Sequence, residues 1–536
     1  MRARMQVGLA TALLAGVAAA VAATGSAAPP AAVGPLPSPR QLAWHEQPYY
    51  GFVHFTVNTF TDREWGTGDE APDVFAPTAF DARQWARVAR DAGMAGLILT
   101  AKHHDGFCLW PSRYTDHSVR SSRWLDGSGD VVRALAEACR AEGLKLGLYL
   151  SPWDRHHAGY GRAGYLDYYR AQLRELLTQY GPLFELWFDG ANGGDGYYGG
   201  AHETRRIDAA SYYEWAQTWG LVRELQPGAL IFSDAGPDVR WVGNEKGVGF
   251  ETTWLPFDRT GAHPGMPDYA ERAPGRSDGS DWVPPEIDVS IRPGWFYHAS
   301  EDERVKSVAE LVEIYYASVG RSGSLLLNVP PDRRGLFHET DVERLRGLRR
   351  WLDSTFATDL ARGSAASAGN VRGGSAEFAA ARAVDADPST YWATDDGVTQ
   401  ASLELRLAAP ARFDQVRLRE AVALGQRVEA WALDAELEGR WRTLTEGTTI
   451  GVRRIARFAP VRAGRVRLRV MRARACPAIG ELALFLSAPA PGQAGRLGSA
   501  TSSSERSAAA PSSSARRACG DCGRTPRPGD GSHPGS

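Results

Sequence analysis

Apolar positions along the chain fall into two regimes. Between residues 40 and 356, short apolar runs alternate with stretches whose apolar residues recur every three or four positions, as strands alternating with amphipathic helices would. The runs YGFVHF (50–55), GLILT (96–100), KLGLYL (145–150), FELWF (184–188), LIFS (230–233) and SLLLNV (324–329) predict buried strands, with shorter ones at 250–254 and 287–291. A helix is predicted over 78–92, where Thr78 and Asp81 resemble a capping box, Trp85, Val88, Ala89 and Ala92 share one face, and Gly93 stops the pattern. Asp130 caps a second helix, with Val132, Leu135, Ala136 and Cys139 on one stripe, ended by Gly143. Further helices are predicted over 165–180, 212–224, 302–319 (opened by Ser300 with Glu303) and 341–356 (opened by Thr340 with Glu343). Repeated βα units predict a parallel sheet, and their number favours an α/β, (β/α)8-type barrel over 40–356. A doubly wound open sheet is the alternative; no Gly-rich phosphate loop follows the first strand.

After residue 356 the period changes to two. Residues 357–375, small and polar from Gly363 on, predict a linker. Leu403/Leu405/Leu407, Val416/Leu418, Val428/Ala430/Ala432, Val466/Leu468/Val470 and Leu482/Leu484/Leu486 then alternate with polar residues, which predicts an all-β sandwich over 376–487. Residues 488–536 carry no aromatic or β-branched apolar side chain and are predicted to be a disordered tail. At the other end, Arg2 and Arg4, the apolar run 7–23 and small residues to Ala28 predict a secretory signal peptide over 1–28. A permanent membrane helix is the competing reading, but the run is short, Ala-rich and flanked by Pro29 and Pro30. No other segment is apolar enough to span a bilayer, so the chain is expected to be secreted, with no membrane association after cleavage.

Composition adds limits. The 536 residues are too many for one core, and 43% hydrophobic with 23% charged is ordinary for a globular protein. A net charge of −2, from 61 basic and 63 acidic residues, gives no reason to expect nucleic acid or an anionic membrane as partner. Lysine is confined to Lys102, Lys145, Lys246 and Lys306 amid abundant Ala and Gly, the usage of a GC-rich bacterial genome. The 17 Trp and 18 Tyr suit a cleft that covers the apolar face of a sugar. Cys108, Cys139 and Cys476 are scattered singly. Cys519 and Cys522 form a CxxC in the tail, with no fold around it to make a redox or zinc site.

Candidate chemistry gathers at the strand ends. The stretch LFELWFDGAN (183–192) ends a strand in Asp189 followed by Gly190, placing a carboxylate on the edge where barrels build ligand sites. A helix-capping role is the bland alternative. The first strand ends at His54, with Glu64 and Trp65 in the next loop, and the second runs into Lys102-His103-His104-Asp105. His54, Glu64, Trp65, His103, His104, Trp187 and Asp189 can therefore share one pocket. Adjacent residues on an extended chain point to opposite sides, so His103 and His104 are not expected to bind one ion, and no HxH or HExxH accompanies them. Neutral imidazoles bonding substrate hydroxyls fit better, and no catalytic metal or other cofactor is expected.

The motifs YGFVHFTVNTF (50–60), EWGTGDE (64–70), LTAKHHDGFCLWPS (99–112), LYLSPWD (148–154), ELWFDGANG (185–193), RWVGNEKG (240–247), PEIDVSIRPGWFYH (285–298) and LLLNVPPDRRG (325–335) resemble the α-L-fucosidases of glycoside hydrolase family 29. The resemblance implies hydrolysis of terminal α-L-fucose from a fucosylated oligosaccharide or glycoconjugate, with retention, by two carboxyl groups about 5–5.5 Å apart. It implies Asp189 of the W-F-D motif as nucleophile. Trp241-Val242-Gly243-Asn244-Glu245 is similar to the W-x-G-N-E segment of the subgroup that prefers branched α-1,3/1,4-linked fucose, implying Glu245 as acid/base, with Glu251 and then Glu286 as rivals. Aromatic surroundings and an ionised Asp189 should raise the pKa of Glu245. The fucose-holding residues carry over to His54, Glu64, Trp65, His103, His104 and Trp187, with Trp295 as an aromatic wall. A broad-specificity fucosidase and a decayed barrel that only binds carbohydrate are the alternatives. The sequence departs from the family in a long loop, 193–208, and in Arg321-Ser322, where Asn is common. AVDADPSTYW (383–392) resembles a turn of discoidin-like modules that often frames a structural Ca2+.

Overall fold

The computed structural model describes residues 27–489, so nearly all of the expected signal peptide (1–28) and tail (488–536), with the CxxC, lies outside the described residues. Eight parallel strands follow one another around a barrel in chain order: β1 (Tyr49–Val53), β2 (Gly96–Lys102), β3 (Lys145–Leu150), β4 (Glu185–Trp187), β5 (Leu230–Phe232), β6 (Arg240–Trp241), β7 (Pro285–Ser290) and β8 (Ser324–Asn328). β8 pairs back onto β1, Tyr49 opposite Leu325. Only a single bridge from Phe232 to Val239 joins β5 to β6, so the barrel is nearly closed. Apart from Lys145 at the start of β3 and Trp241 at the end of β6, every strand residue is buried, as a parallel sheet covered on both faces requires.

Helices α1 (Ala82–Ala92), α2 (Val131–Glu142), α3 (Tyr165–Gln179) and α4 (Trp215–Leu225) follow the first four strands, and α5 (Val308–Ser318) and α6 (Glu339–Phe356) the last two. No helix separates β5 from β6, and only Tyr269–Arg272 follows β6. The first cap differs from expectation. Asp81 accepts the Arg83 and Gln84 N–H groups, so α1 starts at 82, and Thr78 takes no part. Ser307 with Glu310, rather than Ser300 with Glu303, forms the capping box of α5; the earlier pair lies in the 3-10 turn Ala299–Arg304. His338 rather than Thr340 caps α6.

The second domain is one strongly curled antiparallel sheet of β9 (Ala365–Ala368), β10 (Trp392–Ala393), β11 (Ala401–Glu420), β12 (Val428–Leu437), β13 (Arg440–Gly447), β14 (Arg454–Ala473) and β15 (Ala478–Phe485). β11 and β14 run 20 residues each and bend at register shifts, so both serve two halves of the sandwich. Leu403, Leu405, Val416, Leu418, Val466 and Leu468 point into its core. Val428 joins the core as expected, but register shifts around Ala430 change the phase of β12 beyond it: Trp431, Leu433 and Ala435 enter the core cluster, Ala430 is half-buried, and Ala432 is buried outside that cluster. Leu486 lies past the last strand, exposed. The stretch read as linker contains β9, paired with β11 from Ala365 opposite Arg406. Small residues on a sheet edge have the composition of a linker.

Barrel and sandwich meet along a continuous contact. Tyr316 donates to Gln415 (2.8 Å), Phe356 packs edge-on against Phe485, and Arg457 pairs with Glu313. Residues 250–254 are not a strand; they form a loop held by the sandwich, through Thr253 N to Thr449 (3.1 Å) and Arg454 to Glu251 (2.6 Å). Arg321 and Ser322 belong to the same seam: Arg321 pairs with Glu251 and Ser322 donates to Ile450 O.

Candidate active site

The carboxyl ends of β1, β2, β3, β4 and β8 bring three histidines together. A register shift near Lys102 and a turn at 104–105 end the regular extended backbone, so the rings of His103 and His104 lie 4.1 Å apart rather than on opposite faces. The alternation argument fails because it holds only inside a regular strand. His54 stands next to His103, ring centres 5.6 Å apart. Among the described residues no three His, Cys, Asp or Glu side chains form a ligand set for an ion.

Hydrogen bonding fixes the tautomers. Asn328 donates from its amide to Ser290 Oγ (2.9 Å) and the Trp295 carbonyl (2.8 Å), which leaves its Oδ1 to accept from His54 Nδ1 (2.8 Å). Ser151 donates to the Trp153 carbonyl (2.6 Å), so its oxygen accepts from His104 Nδ1 (2.7 Å). Burial pushes the pKa of His54 down to about 3 and that of His104 to about 4, and holds His103 well below the usual range with help from its two neighbours. Both His54 and His104 therefore carry a free lone pair on Nε2, an acceptor for a hydroxyl.

Asp189 stands just past β4. Tyr149 donates its phenol to Oδ2 (2.9 Å), the Ala191 N–H donates to Oδ1 (2.7 Å), and His104 Nε2 lies 3.8 Å from Oδ2. Next to it Gly190 admits no side chain, since a Cβ there would meet Asp234 Oδ2 at 1.9 Å. Asp234 accepts from Gly265 N (2.8 Å); burial and the charge of Asp189 raise its pKa to about 7. Trp187 stacks on Phe232 (4.1 Å, 9°) and on Tyr149 (5.2 Å, 29°) beneath Asp189.

Glu245 reaches the same mouth from the segment after β6. It accepts from Trp295 Nε1 (3.1 Å), and the Trp295 ring stands 5.2 Å from that of His54. Residue 245 is exposed at its outer edge, yet the atoms crowding its carboxyl raise its pKa, and the charges of Asp189 and Glu64 raise it further. Glu64 is anchored by Trp295 N (2.8 Å), Phe296 N (3.1 Å) and His298 Nε2 (2.7 Å). Trp65 is 52% exposed and meets His104 and Trp153 edge-on, an open aromatic face on the rim.

The two rival acids do not reach the mouth. Glu251 is clamped between Arg321 and Arg454 on the sandwich side. Glu286 is fully buried inside the barrel below the site, bonded to Trp187 Nε1 (2.7 Å) and Tyr50. Glu185 lies buried close by, and burial raises the pKa of both carboxyls, that of Glu185 further through the charge of Glu286. Sequence reasoning missed Tyr149, Ser151, Asn328, His298 and Asp234. Tyr149 and Ser151 sit at alternate positions of LYLSPWD, and that period-two spacing, extended past the end of β3, is the signal that could have found them.

The loop 193–208 folds into a hairpin, Gly194–Gly196 against Glu203–Arg205. It leans on the strand-end loops through Trp153 Nε1, which donates to the Tyr198 hydroxyl (3.0 Å), and Tyr197 N, which donates to Thr67 O (2.9 Å). In the sandwich, the carboxylates of the discoidin-like turn, and Asp395 just after it, are engaged by the chain itself: Asp385 by Thr390, Asp387 by Ser389, Asp395 by Gly373 N and Asn370.

A sequence model of the alpha-L-fucosidase family matches residues 38–355, and one of the F5/8 type C domain matches residues 364–482. Alpha-L-fucosidase 1 of Arabidopsis thaliana is 44% identical over 465 residues, which span 85% of this chain and 88% of that protein. A glycoside hydrolase 29 member from an unknown rumen bacterium is 43% identical with a TM-score of 0.76, over 85% of this chain and 78% of its own. A Ruminococcus gnavus GH29 fucosidase solved in complex with fucose is 30% identical with a TM-score of 0.79, over 87% and 98%. The nearly closed barrel, the rim assembled on it and these similarities together mean that the chain belongs to the α-L-fucosidase family of glycoside hydrolases, family 29, with an F5/8 type C, discoidin-like domain behind its barrel.

Proposed function

We propose that the protein is a secreted, retaining exo-α-L-fucosidase acting on branched α-1,3/1,4-linked fucose, with Asp189 as nucleophile and Glu245 as acid/base. The observation that carries this reading is the contrast between two carboxyls sharing one mouth. Asp189 accepts from a phenol and a backbone N–H, which hold its carboxyl in one orientation for attack. Glu245 sits in crowded surroundings that favour the protonated acid. In the first step an Asp189 oxygen bonds to the anomeric carbon, the glycosidic C–O bond breaks, and Glu245 gives its proton to the departing oxygen. In the second, Glu245 takes a proton from water, the oxygen of that water bonds to the anomeric carbon, and the ester to Asp189 breaks. Nε2 of His54 and of His104 accept sugar hydroxyls, His103 and Glu64 line the same side, and Trp65, Trp187 and Trp295 supply aromatic walls.

The W-x-G-N-E segment supports the branched preference, and the 194–205 hairpin beside Trp153 supports a shaped leaving-group side. Arg2, Arg4 and the apolar run 7–23 support export; among the described residues no helix is long and apolar enough to cross a membrane. The sandwich is read as a prop, since it holds the 250–254 loop that follows Glu245. Incubation with a Lewis-type trisaccharide and with 4-nitrophenyl fucoside tests the specificity: release mainly from the trisaccharide is expected. Equal or exclusive hydrolysis of the aryl fucoside places the protein with broad-specificity enzymes. Azide rescue of Glu245→Ala, giving a fucosyl azide of defined anomer, tests the acid/base.

A further inference from the structure

Strand β7 carries acids that the chemistry above does not use. Its inward positions alternate as Glu286, Asp288 and Ser290, all nearly inaccessible to solvent. The two acids' hydrogen-bond donors are a phenol and indoles, and burial raises both pKa values, that of Asp288 further through the charges of Glu245 and Glu286. Glu286 Oε1 accepts from Trp187 Nε1 at 2.7 Å, and Asp288 Oδ1 accepts from Trp241 Nε1 at 2.9 Å. Ser290 receives the Asn328 amide that orients His54. An indole N–H drawn out of water needs an acceptor, so each bond fixes its ring, Trp187 buried and Trp241 half-buried. Trp187 precedes Asp189 by two residues, and Trp241 precedes Glu245 by four.

The geometry points to Glu286 and Asp288 as positioning residues, each gripping the tryptophan that leads into one of the two catalytic acids. Glu286 acts through Trp187 on Asp189, and Asp288 acts through Trp241 on Glu245. This rests on the assignment of those two acids. An acceptor oxygen is all that either indole needs, so Gln and Asn should serve where Leu cannot. A displacement of about 1 Å at a reacting group costs on the order of 100-fold. Loss of the Glu286 grip disturbs attack, which every substrate requires. Loss of the Asp288 grip disturbs proton donation, which only poor leaving groups require.

The test compares kcat/KM on a fucosylated trisaccharide and on 2,4-dinitrophenyl fucoside, whose leaving group departs without a proton. E286L is expected to lower both by a similar factor, about 10–100-fold. D288L is expected to lower the trisaccharide by about 10–100-fold and the dinitrophenyl substrate by less than about threefold. E286Q and D288N should recover at least about tenfold of each loss. W241F should reproduce the D288L pattern, and the double variant D288L/W241F should go no lower. Where a leucine variant does not fold, E286D, which withdraws the acceptor by one methylene, and W241F carry the same comparison. Equal effects of D288L on both substrates, or a W241F variant that matches the wild type, overturns the proposal. Glu245→Ala is the internal reference. If it shows no leaving-group dependence, the acid/base assignment fails; if it does and D288L and W241F do not, only the positioning role fails.

Discussion

Replacing His104 by Asn keeps an N–H donor facing Ser151 and removes a ring that, in the native protein, stays neutral down to about pH 4. The unfolded chain protonates this imidazole at about 6.5, so between these values the unfolded state binds more protons than the native one. The ring's contribution to stability is therefore complete above pH 6.5 and is lost as pH falls toward 4. At 1.36 kcal/mol per pH unit, the span from 6.5 to about 4 amounts to about 3 kcal/mol, a large share of a typical 5–15 kcal/mol. Urea unfolding of wild type and His104→Asn at pH 7, 6, 5 and 4 isolates the effect. Groups titrating in both proteins, including Asp105 and Asp234, whose pKa values are raised by burial to about 7, cancel in the difference. The wild type should lose about 3 kcal/mol more than the variant between pH 7 and pH 4. Stability curves that run parallel would refute the neutral, Nε2-accepting His104 on which the sugar-binding argument depends.

Three further outcomes follow from the same geometry. Tyr149→Phe removes a charge-assisted bond to Asp189, of a kind contributing about 1.5–3 kcal/mol, and should lower kcat/KM about tenfold or more on every fucoside, measured at saturating pH. Glu251→Gln breaks ion pairs with Arg321 and Arg454 but touches no reacting atom, so activity should stay within about twofold while Tm falls slightly. Because the pKa of Glu245 is raised and its protonated form donates the proton, kcat/KM should persist above the ordinary carboxylate range and fall as pH rises through that raised value. Glu245→Ala should lack this basic limb on an activated aryl fucoside.

Barrel strands were legible in the sequence because each is buried on both faces and reads as a continuous apolar run, as GLILT and SLLLNV do. β6 escaped notice because it is two residues long, and 250–254 misled because Phe250 and Trp254 look like strand residues but pack in a loop against other parts of the fold. Ala430 shows a similar limit: the two register shifts on either side of it change which residues of β12 join the core cluster, and no local pattern announces them. At the site, residues adjacent to strand ends could be named, but their orientation could not. His103 and His104 face one another because the backbone leaves the extended form at that point. Asn328, which fixes the His54 tautomer, lies 274 positions along the chain from it, and only closure of β8 onto β1 makes them neighbours.

The central claim, that Asp189 attacks the anomeric carbon, is tested most directly by trapping the intermediate. 2-Deoxy-2-fluoro-L-fucosyl fluoride should inactivate the enzyme by slowing the second step more than the first, since fluoride leaves without a proton and the neighbouring fluorine destabilises the transition state. Peptide mapping by mass spectrometry should then find one added 2-fluorofucosyl group on the peptide containing Asp189. An adduct on Glu245 or another carboxylate, or turnover of the reagent with no adduct at all, would contradict the account.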